Sequence, residues 1–129
     1  MGEQGEKTTL GQNPASKILM SEFTQYLQEV FELFGPISAR KMFGGYGIYH
    51  QGLMFGLVAD DTLYLKADAE NVGYFQELEL APFEYHKQGK VMKMSYYLAP
   101  DEIMDDREQA ALWAQRSFAA AVRGQRGKR

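Results

Sequence analysis

Residues 40 to 66, RKMFGGYGIYHQGLMFGLVADDTLYLK, restrict the fold more than any other stretch of this chain. Their glycines, tyrosines and alternating apolar residues describe an antiparallel meander, because successive side chains of a strand point to opposite faces of its sheet. Residues 37 to 50 and 53 to 59 read as strands joined at Gln51-Gly52, and Asp60-Asp61 reads as a turn into a third strand over residues 62 to 66. In the second strand Leu53, Phe55 and Leu57 alternate with Met54, Gly56 and Val58, so both faces are apolar and the strand is expected to be central. In the third, Leu63 and Leu65 point one way and Thr62, Tyr64 and Lys66 the other, which leaves one face fit for water.

Ahead of the meander, Leu19, Phe23, Tyr26, Leu27, Val30, Phe31 and Phe34 recur at spacings of three and four, the stripe of an amphipathic helix over residues 18 to 34. Two N-caps are available, Asn13 before Pro14 and Ser21 before Glu22, and Gly35-Pro36 stops the helix. After the meander a short helix follows Asp68, whose carboxylate can cap it, with Val72, Phe75 and Leu78 on its inner side. Residues 83 to 87 and 91 to 98 form a second hairpin across Gln88-Gly89, with Met92, Met94, Tyr96 and Leu98 expected in the core and Val91, Lys93, Ser95 and Tyr97 facing away. A last helix begins after Pro100 with a capping-box pattern from Asp105 to Glu108. It carries Ala110, Trp113, Ala114, Ser117, Phe118 and Ala121 on one stripe as far as Gly124, with Trp113 as its anchor.

This order, α-β-β-β-α-β-β-α, predicts an α+β two-layer sandwich with a five-stranded antiparallel sheet packed with helices. The 129 residues, 45% of them hydrophobic, suit one domain over residues 18 to 123, with a polar arm over 1 to 17 and a basic tail over 124 to 129. There is no cysteine, so disulfides, thiolate metal sites and a cysteine nucleophile are excluded. With no signal-like segment or apolar run long enough for a bilayer, the expectation is a cytoplasmic protein that makes no membrane contact.

The net charge of -3 hides an asymmetry: RGQRGKR at the C-terminus holds four of the fourteen basic residues, which leaves the preceding 122 residues at -7. An acidic body repels phosphate, so nucleic acid is expected to bind only weakly or indirectly. The tail residues Arg123, Arg126, Lys128 and Arg129 read either as a few phosphate contacts or as a solvated basic end that suits the negative pole of the preceding helix.

No catalytic constellation accompanies the fold. Gly44-Gly45-Tyr46-Gly47 looks superficially like a phosphate-cradling loop, yet it leads into Ile48-Tyr49-His50 and another strand instead of a helix, so a bulge or strand bend is the preferred reading. His50 and His86 have no metal-ligand spacing, and the pairs Asp60-Asp61 and Asp105-Asp106 are better explained by turns and caps. Ser95 lacks a nucleophile elbow. The expectation is therefore a non-enzymatic chain without metal or cofactor. Its candidate binding residues are Arg40, Lys41, Tyr46, Lys66, Lys93 and Tyr97 on a sheet face, since arginine and tyrosine are enriched at binding hot spots. An exposed sheet face also suits a homodimer.

The ordered set Ser21-Glu22-Phe23, Arg40-Lys41-Met42-Phe43-Gly44-Gly45-Tyr46-Gly47, Leu63-Tyr64-Leu65-Lys66, Met94-Ser95-Tyr96-Tyr97 and the Trp113 helix closely resembles the N-terminal domain of the TfoX/Sxy family. The resemblance covers roughly four fifths of the chain. It implies a secretion-chaperone-like α/β sandwich and a bacterial regulator of competence genes that works through protein contacts with the transcription machinery, assisting a cyclic-AMP-dependent activator at promoters. In that reading Met42, Phe43, Gly44, Gly45, Gly47 and Trp113 form the structural motif. Longer family members carry a second, helical C-terminal domain, which does not follow RGQRGKR here, so the expectation is a domain adapted to other regulatory contacts or one without the competence role.

Overall fold

The structure, a computed structural model, describes residues 21 to 42 and 44 to 126, with Met92 described in its backbone only. The arm, Asn13-Pro14, Phe43, Lys128 and Arg129 therefore lie outside the described residues. Helix α1 (Glu22–Val30) is followed by strands β1 (Ser38–Met42), β2 (Gly45–His50), β3 (Leu53–Ala59) and β4 (Thr62–Lys66). Then come α2 (Val72–Glu77), β5 (Pro82–Lys87), β6 (Lys90–Leu98), a 3-10 turn (Asp101–Asp105) and α3 (Arg107–Arg126).

The class is α+β with an antiparallel sheet and three helices among the described residues, but the sheet has six strands, not five. The extra strand comes from residues 37 to 50, expected as one strand. Here Met42 pairs with Gly45, so the chain reverses between them and Gly44 turns with φ of +76°. The glycine run is a hairpin reversal where a bend was expected. Its place between two antiparallel strands also removes the phosphate-loop geometry, which needs a helix N-terminus. The sheet order is β1-β2-β3-β4-β6-β5, so β6 pairs with β4 in the interior and β5 lies at the edge.

Turns and caps follow local chemistry. Gln51-Gly52, Asp60-Asp61 and Gln88-Gly89 all have positive φ at both central positions, the twist that matches two-residue hairpins. Ser21 caps α1, its hydroxyl accepting from the Thr24 amide at 3.1 Å. Asp106, not Asp105, caps α3 by accepting from the Glu108 and Gln109 amides, both at 3.1 Å, because Asp105 is taken up in the preceding 3-10 turn. Asp68 accepts from the Glu70 and Asn71 amides in the turn ahead of α2, while Asn71 occupies the cap position itself.

Among the described residues, the helices pack on one face of the sheet. Cross-strand pairing puts Ala39, Tyr46, Ile48, His50, Val58, Leu63, Leu65 and Tyr97 on the same side. Onto it fold Phe31 against Phe55 (5.7 Å between ring centroids), Phe118 against His50 (5.0 Å), and Phe75 against both Tyr97 (5.3 Å) and Trp113 (5.2 Å). Trp113 is buried, as its place on the helical stripe requires. A register shift between Ile48 and Tyr49 makes Phe55 an extra residue in β3, so Phe55 and its neighbour Gly56 both serve the helix side.

Candidate interaction surface

The opposite face holds Arg40, Met42, Gly47, Tyr49, Met54, Leu57, Tyr64, Lys66, Tyr96 and Leu98. Among the described residues the packed aromatic clusters of the helices all lie on the other side. Leu57 and Tyr96 are buried here, while Met42, Tyr49, Met54, Tyr64 and Leu98 are half-buried and Arg40 is exposed. Of the residues expected in the core, Tyr96 is buried and Met94 and Leu98 are half-buried, all on the face away from the helices. Tyr97 takes the helix-side place against Phe75, because both faces of β6 are rich in large apolar groups and pattern alone does not choose between them.

Two cations lie over tyrosine rings on this face. The Arg40 guanidinium carbon sits 4.7 Å from the centroid of Tyr49, and the Lys66 ammonium lies 5.1 Å from that of Tyr96 and 3.4 Å from the Ser95 hydroxyl. Tyr64 meets Phe83 edge to face at 4.9 Å. Burial pushes the Tyr96 phenol up to about 12, with a further push from nearby Tyr49, so it remains a neutral hydrogen-bond group at physiological pH. Gly47 makes room for this layer, since a Cβ there would stand 3.0 Å from both the Met42 methyl and the Tyr49 ring.

At its rim the face meets the last turns of α3. Leu53, Met54, Lys66, Tyr96, Ala121, Gly124 and Gln125 line a cleft of about 540 Å³ there. Among the described residues the lining has one cation and no carboxylate.

The candidate residues read from the sequence divide between the two sides. Arg40 and Lys66 share the face opposite the helices, whereas Lys41 and Tyr46 pair with each other on the helix-side face, and Tyr46 and Tyr97 pack against the core. Lys93 is exposed and pairs across β5 with Glu84. Tyr49, Tyr64 and Tyr96 were not among the candidates, although the pairing of Tyr64 with Lys66 on the wet side of its strand pointed to this face.

The basic end is also partly committed. α3 runs through Gly124 to Arg126, and Arg123 forks onto Asp68, Nε to Oδ2 at 2.7 Å and Nη2 to Oδ1 at 2.9 Å. That hydrogen-bonded guanidinium holds the Asp68 carboxyl below its ordinary range against a smaller opposing push from burial, and the Arg123 pKa is raised in return. Arg123 is thus a structural clamp and Arg126 an exposed helix-end charge. His50 is likewise structural: its Nδ1–H donates to the Pro36 carbonyl at 2.7 Å and its ring sits 4.4 Å from Phe34. His86 is exposed on β5. Among the described residues no group of three or more metal-ligating side chains converges, and no helix is long and apolar enough to cross a membrane.

The TfoX N-terminal domain family matches residues 29 to 121. The chain is similar to the DNA transformation protein TfoX1 of Aliivibrio fischeri (strain ATCC 700601 / ES114), 30% identical over 81 residues, 63% of this chain and 39% of that protein. It is also similar to the protein Sxy of Escherichia coli (strain K12), 25% identical over 96 residues, 74% of this chain and 46% of that protein. The chain spans less than half the length of these curated relatives.

Proposed function

The chain belongs to the TfoX N-terminal domain family, and from that premise we propose that it is a non-enzymatic regulatory domain acting through protein–protein contacts in competence-related transcription. The observation that carries this reading is the sheet face on which Arg40, Lys66 and the tyrosines gather away from the helix-packed core. Among the described residues the helices pack on one side of the sheet, and the other side carries the half-apolar, tyrosine-rich character of surfaces that protein partners cover. Arginine and tyrosine together are the residue types that dominate the energy of such contacts. The name of the Aliivibrio relative supports the link to DNA uptake, since it is called a DNA transformation protein.

Direct binding to nucleic acid gains less support. Arg123 is held by Asp68, so one of the four terminal cations is withdrawn from phosphate contact. The test is made in the native cell. Deleting the coding sequence should lower transcripts of competence genes, and the wild-type chain should restore them while Arg40→Glu should not. Unchanged transcripts after deletion would overturn the regulatory reading.

A further inference from the structure

Helices α2 and α3 run antiparallel, because Arg123 holds Asp68, the Arg116 carbonyl accepts from the Asn71 side chain at 3.5 Å, and Trp113 meets Phe75. One turn further along both helices, Leu112 and Leu78 come to the same end. Between them Arg116 lies over the Tyr74 ring, its guanidinium carbon 3.7 Å from that centroid and 5.2 Å from the centroid of Trp113. Tyr74, Leu78 and Leu112 are 43%, 51% and 38% exposed, so an apolar ridge stands in solvent above the buried Trp113. Beside it Glu70, Gly73, Tyr74, Gln76 and Glu77 line a cleft of about 590 Å³. A Cβ on Gly73 would meet nothing within 4 Å, so the domain's own packing does not require glycine there. Glycine inside a helix costs stability relative to alanine, and its use here leaves room for a close approach from outside.

We propose that this ridge docks a basic amphipathic helix of a protein partner. The proposal rests on the protein-contact reading above and adds a second contact surface, with the chemistry of what it takes. Charge selects the occupant: residues 67 to 86 hold five carboxylates and no lysine or arginine. Arg123 engages Asp68 and Glu70, whereas neither Glu77 nor Glu79, both exposed, has a cationic partner among the described residues. Those two carboxylates also sit at the negative pole of α2, where basic side chains would suit the helix better. Shape selects a helix, because Tyr74 and Leu78 on one element and Leu112 and Arg116 on the other are pairs one turn apart, ridges onto which an apolar helical stripe packs. Leucine-type side chains would settle on Tyr74, Leu78 and Leu112 as the helix crosses Gly73, and its lysines would reach Glu77. Arg116 holds the Tyr74 ring in place beforehand, which lowers the cost of ordering it on contact.

Two other occupants fit less well. Nucleic acid would bring phosphates against Glu77 and Glu79, which repel them. A second copy docking ridge to ridge would set like carboxylates against each other, which costs stability.

The experiment measures fluorescence anisotropy of a labelled helical peptide of about eighteen residues, with Leu at spacings of three and four and Lys elsewhere. The full chain should bind it at least about tenfold more tightly than the counterpart with Glu in place of every Lys. Glu77→Lys should weaken binding about fivefold, while Glu32→Lys, the same charge change on an exposed residue of α1, should leave it within about twofold. Gly73→Leu separates binding from folding: its side chain enters the open cleft, so the melting temperature should hold or rise while affinity falls at least about tenfold. Melting curves of all three variants check that they fold. Equal binding of the two peptides, equal loss in the Glu77 and Glu32 variants, or unchanged binding by a folded Gly73→Leu would overturn the proposal. So would a dimer in sedimentation that Gly73→Leu dissociates, which would give the ridge to a second copy. Because the readout is binding in solution, a failure here is separate from unchanged competence transcripts, which would count against the regulatory role.

Discussion

Arg123, near the end of α3, holds Asp68, in the turn before α2, through two hydrogen bonds of 2.7 and 2.9 Å separated by 55 residues of sequence. Beside this fork the buried Asn71 donates from its side-chain amide to the Lys66 carbonyl at 3.0 Å and accepts from the Asp68 amide at 2.7 Å. The exit of β4, the start of α2 and the C-terminal half of α3 are thereby fastened at one point.

Replacing Asp68 with Asn should cost about 1 to 2 kcal/mol at neutral pH, at the low end for hydrogen bonds between charged groups because the pair is about one quarter exposed. Since the folded-state pKa of Asp68 is depressed below 3.8, the stabilisation is complete above that value and lost as pH falls through the lower folded-state pKa. Urea unfolding at neutral pH and at about pH 3 should show the gap between wild type and Asp68→Asn narrowing in acid. A gap that widened would be incompatible with the depressed carboxyl.

Gly45 is buried, and a Cβ there would overlap the Val58 carbonyl oxygen, a backbone atom that cannot swing aside. Gly45→Val should therefore destabilise the fold by several kcal/mol, about 3 or more, and lower the yield of folded protein before any binding defect can be read. Thermal melting checks this, and normal stability with selective loss of a ligand would return the glycine run to a binding role.

Trp113→Ala should cost about 3 to 5 kcal/mol, because the indole is 95% removed from solvent and its edge contact with Phe75 would leave a cavity between α3 and α2. Against a total of about 5 to 15 kcal/mol for a domain of this size, the variant should melt far below wild type or not fold. Denaturant unfolding gives the number directly.

Of the eight tyrosines, Tyr96 should titrate at about 12, well above the ordinary value of 10, and its ultraviolet phenolate signal should disappear in Tyr96→Phe. The sign for stability follows from the raised pKa: burial keeps the folded phenol neutral, so its contribution is intact below pH 10 and declines as pH climbs toward 12, where the unfolded chain has already lost the proton. Wild type should lose stability over that range more steeply than Tyr96→Phe.

Much of the secondary structure was legible because its causes are local. Ser21, Gln51-Gly52, Asp60-Asp61 and Gln88-Gly89 act within a few residues of themselves, and each forms the expected cap or turn. Gly44-Gly45 was harder to read, since a glycine pair permits either a bend within one strand or a reversal between two, and pairing with β3 decides for the reversal. The candidate surface was legible only in part. Arg40 and Lys66 stand on the face away from the described helices, but Lys41 and Tyr46 fall on the other, because neighbours on a strand alternate sides.

Chain chemistry alone was enough to establish three helices, the hairpin turns, the apolar stripe around Trp113 and the family to which the domain belongs. Which side of the sheet the helices cover was decided in three dimensions. One extra residue at Phe55 changes the alternation within β3, and β6 presents large apolar groups both ways, so packing against Phe31, Phe75 and Trp113 selected the inner face and left Arg40, Tyr49 and Tyr96 on the outer one. The Arg123–Asp68 clamp belongs to the same category, because charges so far apart along the chain meet only after the helix has docked.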